Sequence, residues 1–87
     1  MFPEMLDGAR VLYFTPKDDY GVIRYPEGEI ADRIRYLAIC RYDQDNNCYL
    51  FLCDEKGEVV NDWSYASIEE CMAAASQYKK YIIWDKA

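Results

Sequence analysis

Blocks of apolar and aromatic residues, separated by short polar segments, fill most of the chain and predict a series of β-strands. The first block, residues 9–15, is rich in Val, Tyr, Phe and Thr and is ended by Pro16. Residues 20–25 predict a second short strand, whereas residues 29–33 fit either a helical turn or a loop. We expect these N-terminal strands to extend a sheet or to cover its rim.

Three further blocks predict an antiparallel β-meander. Its strands are residues 34–42, 48–53 and 58–63. Turn-forming Asp, Gln and Asn residues separate the first two strands. The last two are joined by a tight hairpin turn in which Gly57 takes a left-handed conformation. Residues 81–84 predict one more strand, at an edge of the sheet.

The spacing of Ser67 and Glu70 is that of a capping box, so a helix is predicted to begin there and to end near Tyr78 or Lys80. Its apolar positions fall at helical spacing and form one stripe. Residues 1–87 are thus predicted to form one α+β domain, an antiparallel β-meander with one C-terminal helix packed on one face of the sheet. The predicted core residues are Val11, Tyr13, Leu37, Ile39, Leu50, Phe51, Leu52, Val59, Ile68, Met72 and Ala75.

Both faces of the predicted meander are apolar, although a small antiparallel sheet usually has one wet face. Symmetric closure of the first loop places Tyr42 opposite Cys48 and assigns alternate residues to each face. We expect the helix to pack on the face that carries the smaller residues Ala38 and Cys40. We favour residues 9–25 as the cover of the other face, ahead of a second copy of the chain or a different protein. That other face carries Leu37, Ile39, Tyr49, Phe51, Cys53 and Val60.

Four cysteines occur, each within an apolar pattern, and they are predicted to be buried free thiols. Disulfides would require an oxidising compartment. The separations of eight, five and eighteen residues do not match the paired ligands of a zinc site. The cysteines are Cys40, Cys48, Cys53 and Cys71.

No segment of the chain predicts a catalytic, cofactor or metal site. The acidic loop from Asp43, with Asp54 eleven positions later, has part of the spacing of an EF-hand. Its sixth position is Cys48, where the calcium loop needs Gly, so the loop is interpreted as a hairpin connection. The chain has no His, the commonest general base. An alternative remains a small-ligand-binding or minor enzymatic domain that uses carboxylates or Cys71.

The charge balance restricts the class of partner. Sixteen acidic residues against ten basic ones give a net charge of −6, which disfavours nucleic acid because phosphate contacts need clustered Lys and Arg. No apolar run reaches the ~18 residues of a membrane helix. Residues 1–8 lack the basic and apolar segments of a signal peptide, so a cytoplasmic location is expected.

Aromatic residues exceed what a small core can hold, with nine Tyr, three Phe and two Trp. Tyr and Trp are enriched at protein interfaces because one end of the ring system is apolar and the other polar. From Asp43 to Asp62 there are six acidic residues and one basic residue. This composition predicts a surface that binds a basic partner protein or a second copy of the chain. The predicted interaction surface comprises Tyr49, Phe51, Trp63, Asp43, Asp45, Asp54 and Glu55.

The segments 8–16, 38–42 and 49–54, together with Ser67-Ile68-Glu69-Glu70, resemble those of small acidic bacterial proteins of uncharacterised function, a domain of unknown function. The resemblance implies a small cytoplasmic bacterial α+β protein and transfers no catalytic residue. By size and acidity the chain also looks like toxin-neutralising immunity proteins. The leading hypothesis is therefore a non-enzymatic protein-binding module, alone or as a homodimer.

Overall fold

A computed structural model describes residues 2–87 and contains one main antiparallel sheet, a separate two-stranded hairpin and one helix. Its elements in chain order are β1 (Met5–Leu6), β2 (Ala9–Phe14), β3 (Val22–Arg24), β4 (Ile30–Arg33), β5 (Tyr36–Arg41), β6 (Cys48–Cys53), β7 (Val59–Tyr65), α1 (Ile68–Ala75) and β8 (Asp85–Lys86). The strand order of the main sheet is β1-β2-β5-β6-β7, and β8 pairs with β2. The predicted α+β class, with a meander and one C-terminal helix packed against it, is confirmed.

The secondary-structure predictions for two segments are wrong. Residues 30–33 form β4, which pairs with β3 rather than forming a helical turn or loop. Residues 81–84 are not a strand, because the pairing with β2 is made by Asp85 and Lys86 instead. In this segment Ile82 and Trp84 pack against the core, while the intervening Ile83 is exposed.

The helix begins where the sequence predicts and ends earlier. The Ser67 side chain accepts from the Glu70 amide at 3.1 Å, and the Glu70 carboxylate accepts from the Ala66 amide at 3.1 Å, one residue before the cap. At the C-terminal end the Ser76 hydroxyl donates to the Ala73 carbonyl at 2.6 Å, and a tighter turn follows up to Tyr78. The helix therefore ends at Ala75 rather than near Tyr78 or Lys80.

The register between β5 and β6 differs by one residue from the symmetric prediction. Cys40 pairs with Tyr49 rather than Leu50, and Ile39 pairs with Leu50. The loop closes asymmetrically, because the Asp45 amide donates to the Tyr42 carbonyl at 3.2 Å and Gln44 takes a left-handed φ of 67°. A one-residue shift exchanges the faces of a strand. Helix α1 therefore packs on the face of Ile39 and Leu50, and the prediction that it sits on Ala38 and Cys40 is wrong.

Each face of the β5–β6 ladder is covered by the chain itself. The helix-side core combines Leu37, Ile39, Leu50 and Leu52 with residues of α1 and with Tyr20. The second core lies on the opposite face, where N-terminal residues and aromatic side chains close over the sheet. It contains Leu6, Ala9, Val11, Ala38, Cys40, Phe51 and Cys53, with Phe2, Phe14, Tyr36, Tyr42, Tyr49 and Val59 packed around them.

The predicted core is mostly correct, and all four cysteines are buried free thiols as expected. Of the predicted core residues, Tyr13, Val59, Ile68 and Met72 are only half-buried, and the others are buried. A β-bulge at Leu12 explains how β2 serves both cores. Val11 pairs with a second-core residue, whereas Tyr13, two positions later, packs into the helix-side core.

The left-handed residue in the β5–β6 loop gives a test of how the register is set. We expect Gln44→Gly to raise the free energy of unfolding by about 0.5–1 kcal/mol, since the left-handed conformation strains every residue with a Cβ. Urea denaturation measures the change. Asn46→Gly, in the same loop at a position without positive φ, is expected to give no such gain. Equal effects of the two substitutions would contradict this explanation of the register.

Candidate functional site

The structure separates the predicted interaction residues into groups along β6 and β7. Tyr49 and Phe51 lie on the second-core face, whereas Trp63 pairs with Leu50 on the helix-side face. The acidic residues divide between the two ends of β6. Asp43 and Asp45 lie in the β5–β6 loop, and Asp54 and Glu55 lie in the β6–β7 turn. No single patch contains all seven residues.

Phe51 is only 1% exposed, so it supports the surface from below and is not available for contact with a partner. Its ring packs against Tyr42 and Tyr49, with centroid distances of 6.5 and 6.3 Å. Tyr42 and Tyr49 meet edge to face at 5.3 Å. These three rings form a fixed aromatic cluster beside β7.

Tyr49 and Asp45 act as a pair. The Tyr49 hydroxyl donates to the Asp45 carboxylate at 3.0 Å. This hydrogen bond, together with partial burial and the charge of Asp45, raises the pKa of Tyr49 above its usual value. Asp45 also accepts from the Asn47 amide at 2.9 Å, so its carboxylate is held rigidly at one end of β7.

The acidic residues of the β6–β7 turn are engaged within the chain. The Asp54 carboxylate accepts from the amides of Lys56 and Glu58, both at 2.9 Å, and so closes the hairpin turn. Glu55 forms an ion pair with Lys17 and lies 3.9 Å from Nε of Arg35. These two residues therefore shape the turn and fasten it to the segment after β2.

Strand β7 is the long open edge of the sheet. No other part of residues 2–87 pairs along its outer side, and the opposite edge consists of the two-residue strands β1 and β8, which both pair with β2. Its central residues, Asn61 to Ser64, are all exposed, and Trp63 is 49% exposed. Only Asp62 is charged among the seven residues. A long edge with so few charges is a ready template for another strand.

The edge position of β7 was not predicted from the sequence. The signal that could have shown it is the polar run Asn61-Asp62, followed by Trp63 and Ser64, within a strand otherwise expected to be apolar. The Asn61 side chain accepts from the Asp62 amide at 2.9 Å. One backbone donor of the edge is thereby satisfied by a neighbouring side chain and not by another strand.

The cysteines and carboxylates do not converge on a reactive centre. Burial raises the pKa of the Cys40, Cys53 and Cys71 thiols to about 12. Within residues 2–87, no three Cys, Asp or Glu side chains are grouped closely enough to hold a metal ion. In the same part of the chain, no helix has the length and apolar character to cross a membrane.

Comparisons with models of known protein families, with curated proteins and with solved structures find no match for this chain. The resemblance to small acidic bacterial proteins therefore stays a prediction. The candidate surface is therefore the exposed central part of β7, Asn61 to Ser64.

The raised thiol pKa values give a direct test of the alternative based on Cys71. Near neutral pH a thiol with a pKa of about 12 is ionised on the order of one part in 10⁵, and the thiolate is the nucleophile. We expect all four buried thiols to react with iodoacetamide far more slowly in the folded protein than in urea. Mass spectrometry counts the labelled residues. Rapid labelling of Cys71 in the folded protein would restore it as a candidate nucleophile.

Proposed function

We propose that this protein is a non-enzymatic binding module that receives an extended, basic segment of a partner protein along the open edge of β7. The observation that carries the proposal is the unpaired outer side of Val59–Tyr65, with Trp63 half-exposed next to its central residue. An added strand would gain main-chain hydrogen bonds from the edge and specificity from the alternating side chains.

The charge around β7 favours a basic partner. Residues 58–70 contain four acidic residues and no basic residue. Glu58 precedes the strand, Asp62 occupies its middle, and Glu69 and Glu70 begin α1 beyond its far end. The Asp45 carboxylate adds to this series beside Tyr49. Complementary charge of this kind attracts a partner and excludes competitors of the wrong sign.

The same charge disfavours a second copy of the chain at this edge. Asp62 is the middle residue of the seven in β7, so antiparallel pairing of two β7 strands about their centres would place two Asp62 carboxylates opposite each other. Like charges directly across a strand pair are destabilising. Of the two partners the sequence leaves open, the basic partner protein is therefore the one we propose.

Trp63 supplies the apolar anchor of the proposed surface. Its ring stands on the helix-side face of β7, and Tyr49 stands on the opposite face of the neighbouring strand. A strand added to β7 could contact Trp63 on one of its faces while acidic groups neutralise its basic side chains. We propose the same mode of action for the immunity-like role, in which the acidic module binds and covers a basic segment of its partner.

Cys71 does not favour the enzymatic alternative. Its thiol is buried beneath α1 and is protonated at neutral pH because burial raises its pKa to about 12. The carboxylates Asp54 and Glu55 are used in a turn and an ion pair. The binding module is therefore the function that the geometry supports best.

A peptide of alternating Lys and Val, matched in length to β7, tests the proposal. We expect it to shift the backbone amide resonances of β7 in a saturable manner, and the effect to weaken as salt is added. The matched peptide of alternating Glu and Val is expected to leave β7 unchanged. Asp62→Lys should weaken binding of the Lys-Val peptide about ten-fold, because it converts a cross-strand attraction into repulsion.

Glu27→Lys is the control variant, since it makes the same change of net charge in the turn between β3 and β4. It should bind the Lys-Val peptide as the native chain does. Equal weakening by Glu27→Lys, or peptide-induced shifts located outside β7, would contradict the proposal.

A further inference from the structure

Two arginines face each other across the β2–β5 ladder. Arg10 and Arg41 are direct cross-strand partners, and both side chains are exposed. Their neighbours Val11 and Cys40 point into the second core, so the two guanidinium groups project from the opposite, helix-side face. Like charges in this position destabilise a strand pair unless something neutralises them.

A third cation lies at the same place, and within residues 2–87 no carboxylate forms an ion pair with the group. Lys86 of β8 lines one cleft with Arg10 and Arg41. Within residues 2–87 no carboxylate oxygen lies within 4.0 Å of a charged nitrogen of these three residues. Glu4 and the C-terminal residue Ala87 also line the cleft, but neither forms an ion pair there. In a chain of net charge −6, three of the ten basic residues are thus gathered in one cleft.

The cleft has the size and lining of a small-molecule site. Its volume is about 550 Å³, within the range typical of ligand pockets. Leu12, Tyr13 and Ile68 provide apolar wall. Leu12 is the extra residue of the bulge in β2, and bulges commonly redirect a side chain beside a binding site.

Arg41 is positioned by a contact of its own. Its Nη2 donates to Sγ of Cys48 at 3.4 Å, which fixes the guanidinium over the start of β6. The Arg10 guanidinium forms no ion pair within residues 2–87 and lies on the neighbouring strand. Both guanidinium groups line the cleft, and each offers the forked donors that carboxylate and phosphate oxygens accept.

We propose that this cleft binds a small organic anion, with its carboxylate or phosphate group between Arg10 and Arg41 and its apolar body against Leu12 and Ile68. Lys86 adds a third positive charge at the rim. The site lies on β2, β5 and β8, two strands away from β7, and does not depend on the proposed binding of a partner strand. Carboxylate and phosphate ligands share this recognition chemistry, and the probes below distinguish them.

Amide chemical-shift titration with benzoate and phenyl phosphate tests the site. At low salt we expect saturable shifts at residues 10–13, at Arg41 and at Lys86, and the tighter of the two probes identifies the preferred head group. Inorganic phosphate, which lacks the apolar body, should bind more weakly at the same residues. Benzylamine, which has the ring but the opposite charge, should cause no shift there.

Arg10→Gln should weaken binding of the tighter probe about ten-fold, the loss expected for a charge-assisted hydrogen bond. Arg41→Gln should do the same, and Arg10→Gln keeps the test valid if loss of the Cys48 contact disturbs folding. Arg33→Gln on β4 removes the same charge outside the cleft and should bind as the native chain does. Absence of saturable shifts, or equal weakening by Arg33→Gln, would overturn the proposal.

Discussion

The ladder between β5 and β6 is the interaction on which the rest of the structure depends. Its residues are apolar on both faces, and the pairing of Ile39 with Leu50 decides which residues meet the helix and which meet the N-terminal strands. A shift of one residue would exchange the two cores. The β5–β6 loop sets this register, and the register determines where helix α1, the N-terminal strands and the C-terminal segment pack.

Much of this arrangement could be predicted from the sequence because local chemistry determines it. The capping residue Ser67, the turn glycine Gly57 and the apolar block of β6 act within a few positions of one another. The register could not be predicted, because it depends on the left-handed conformation of Gln44, a residue type that rarely adopts it. Because the predicted register is wrong by one residue, the predicted packing face of the helix is wrong as well.

The candidate sites were harder to predict, because they depend on which strand lies at an edge and which residues face each other across strands. Their closeness in the sequence suggests that the acidic residues from Asp43 to Asp62 form one patch. In the structure, the length of β6 separates the acidic residues of the β5–β6 loop from those of the β6–β7 turn. Arg10 and Arg41 are thirty-one positions apart in the chain and become neighbours only through the β2–β5 pairing. Long-range pairing of this kind leaves no local signal.

The resulting molecule carries opposite charge at the two sides of one small sheet. Acidic side chains follow the open strand β7, while basic side chains gather in the cleft where β2 meets β5 and β8. The buried strands between them are covered on both faces by the chain itself. Because one chain covers both cores, the edge of β7 and the cleft beside β2 remain available for binding.

Thermal unfolding at several protein concentrations, measured together with the mass in solution, tests most directly whether one chain completes both cores. If one chain covers both faces of the β5–β6 ladder, the protein is a monomer and its unfolding midpoint is the same at every concentration. A midpoint that rises with concentration, accompanied by the mass of a dimer, would show that a second copy stabilises the fold and would contradict the account.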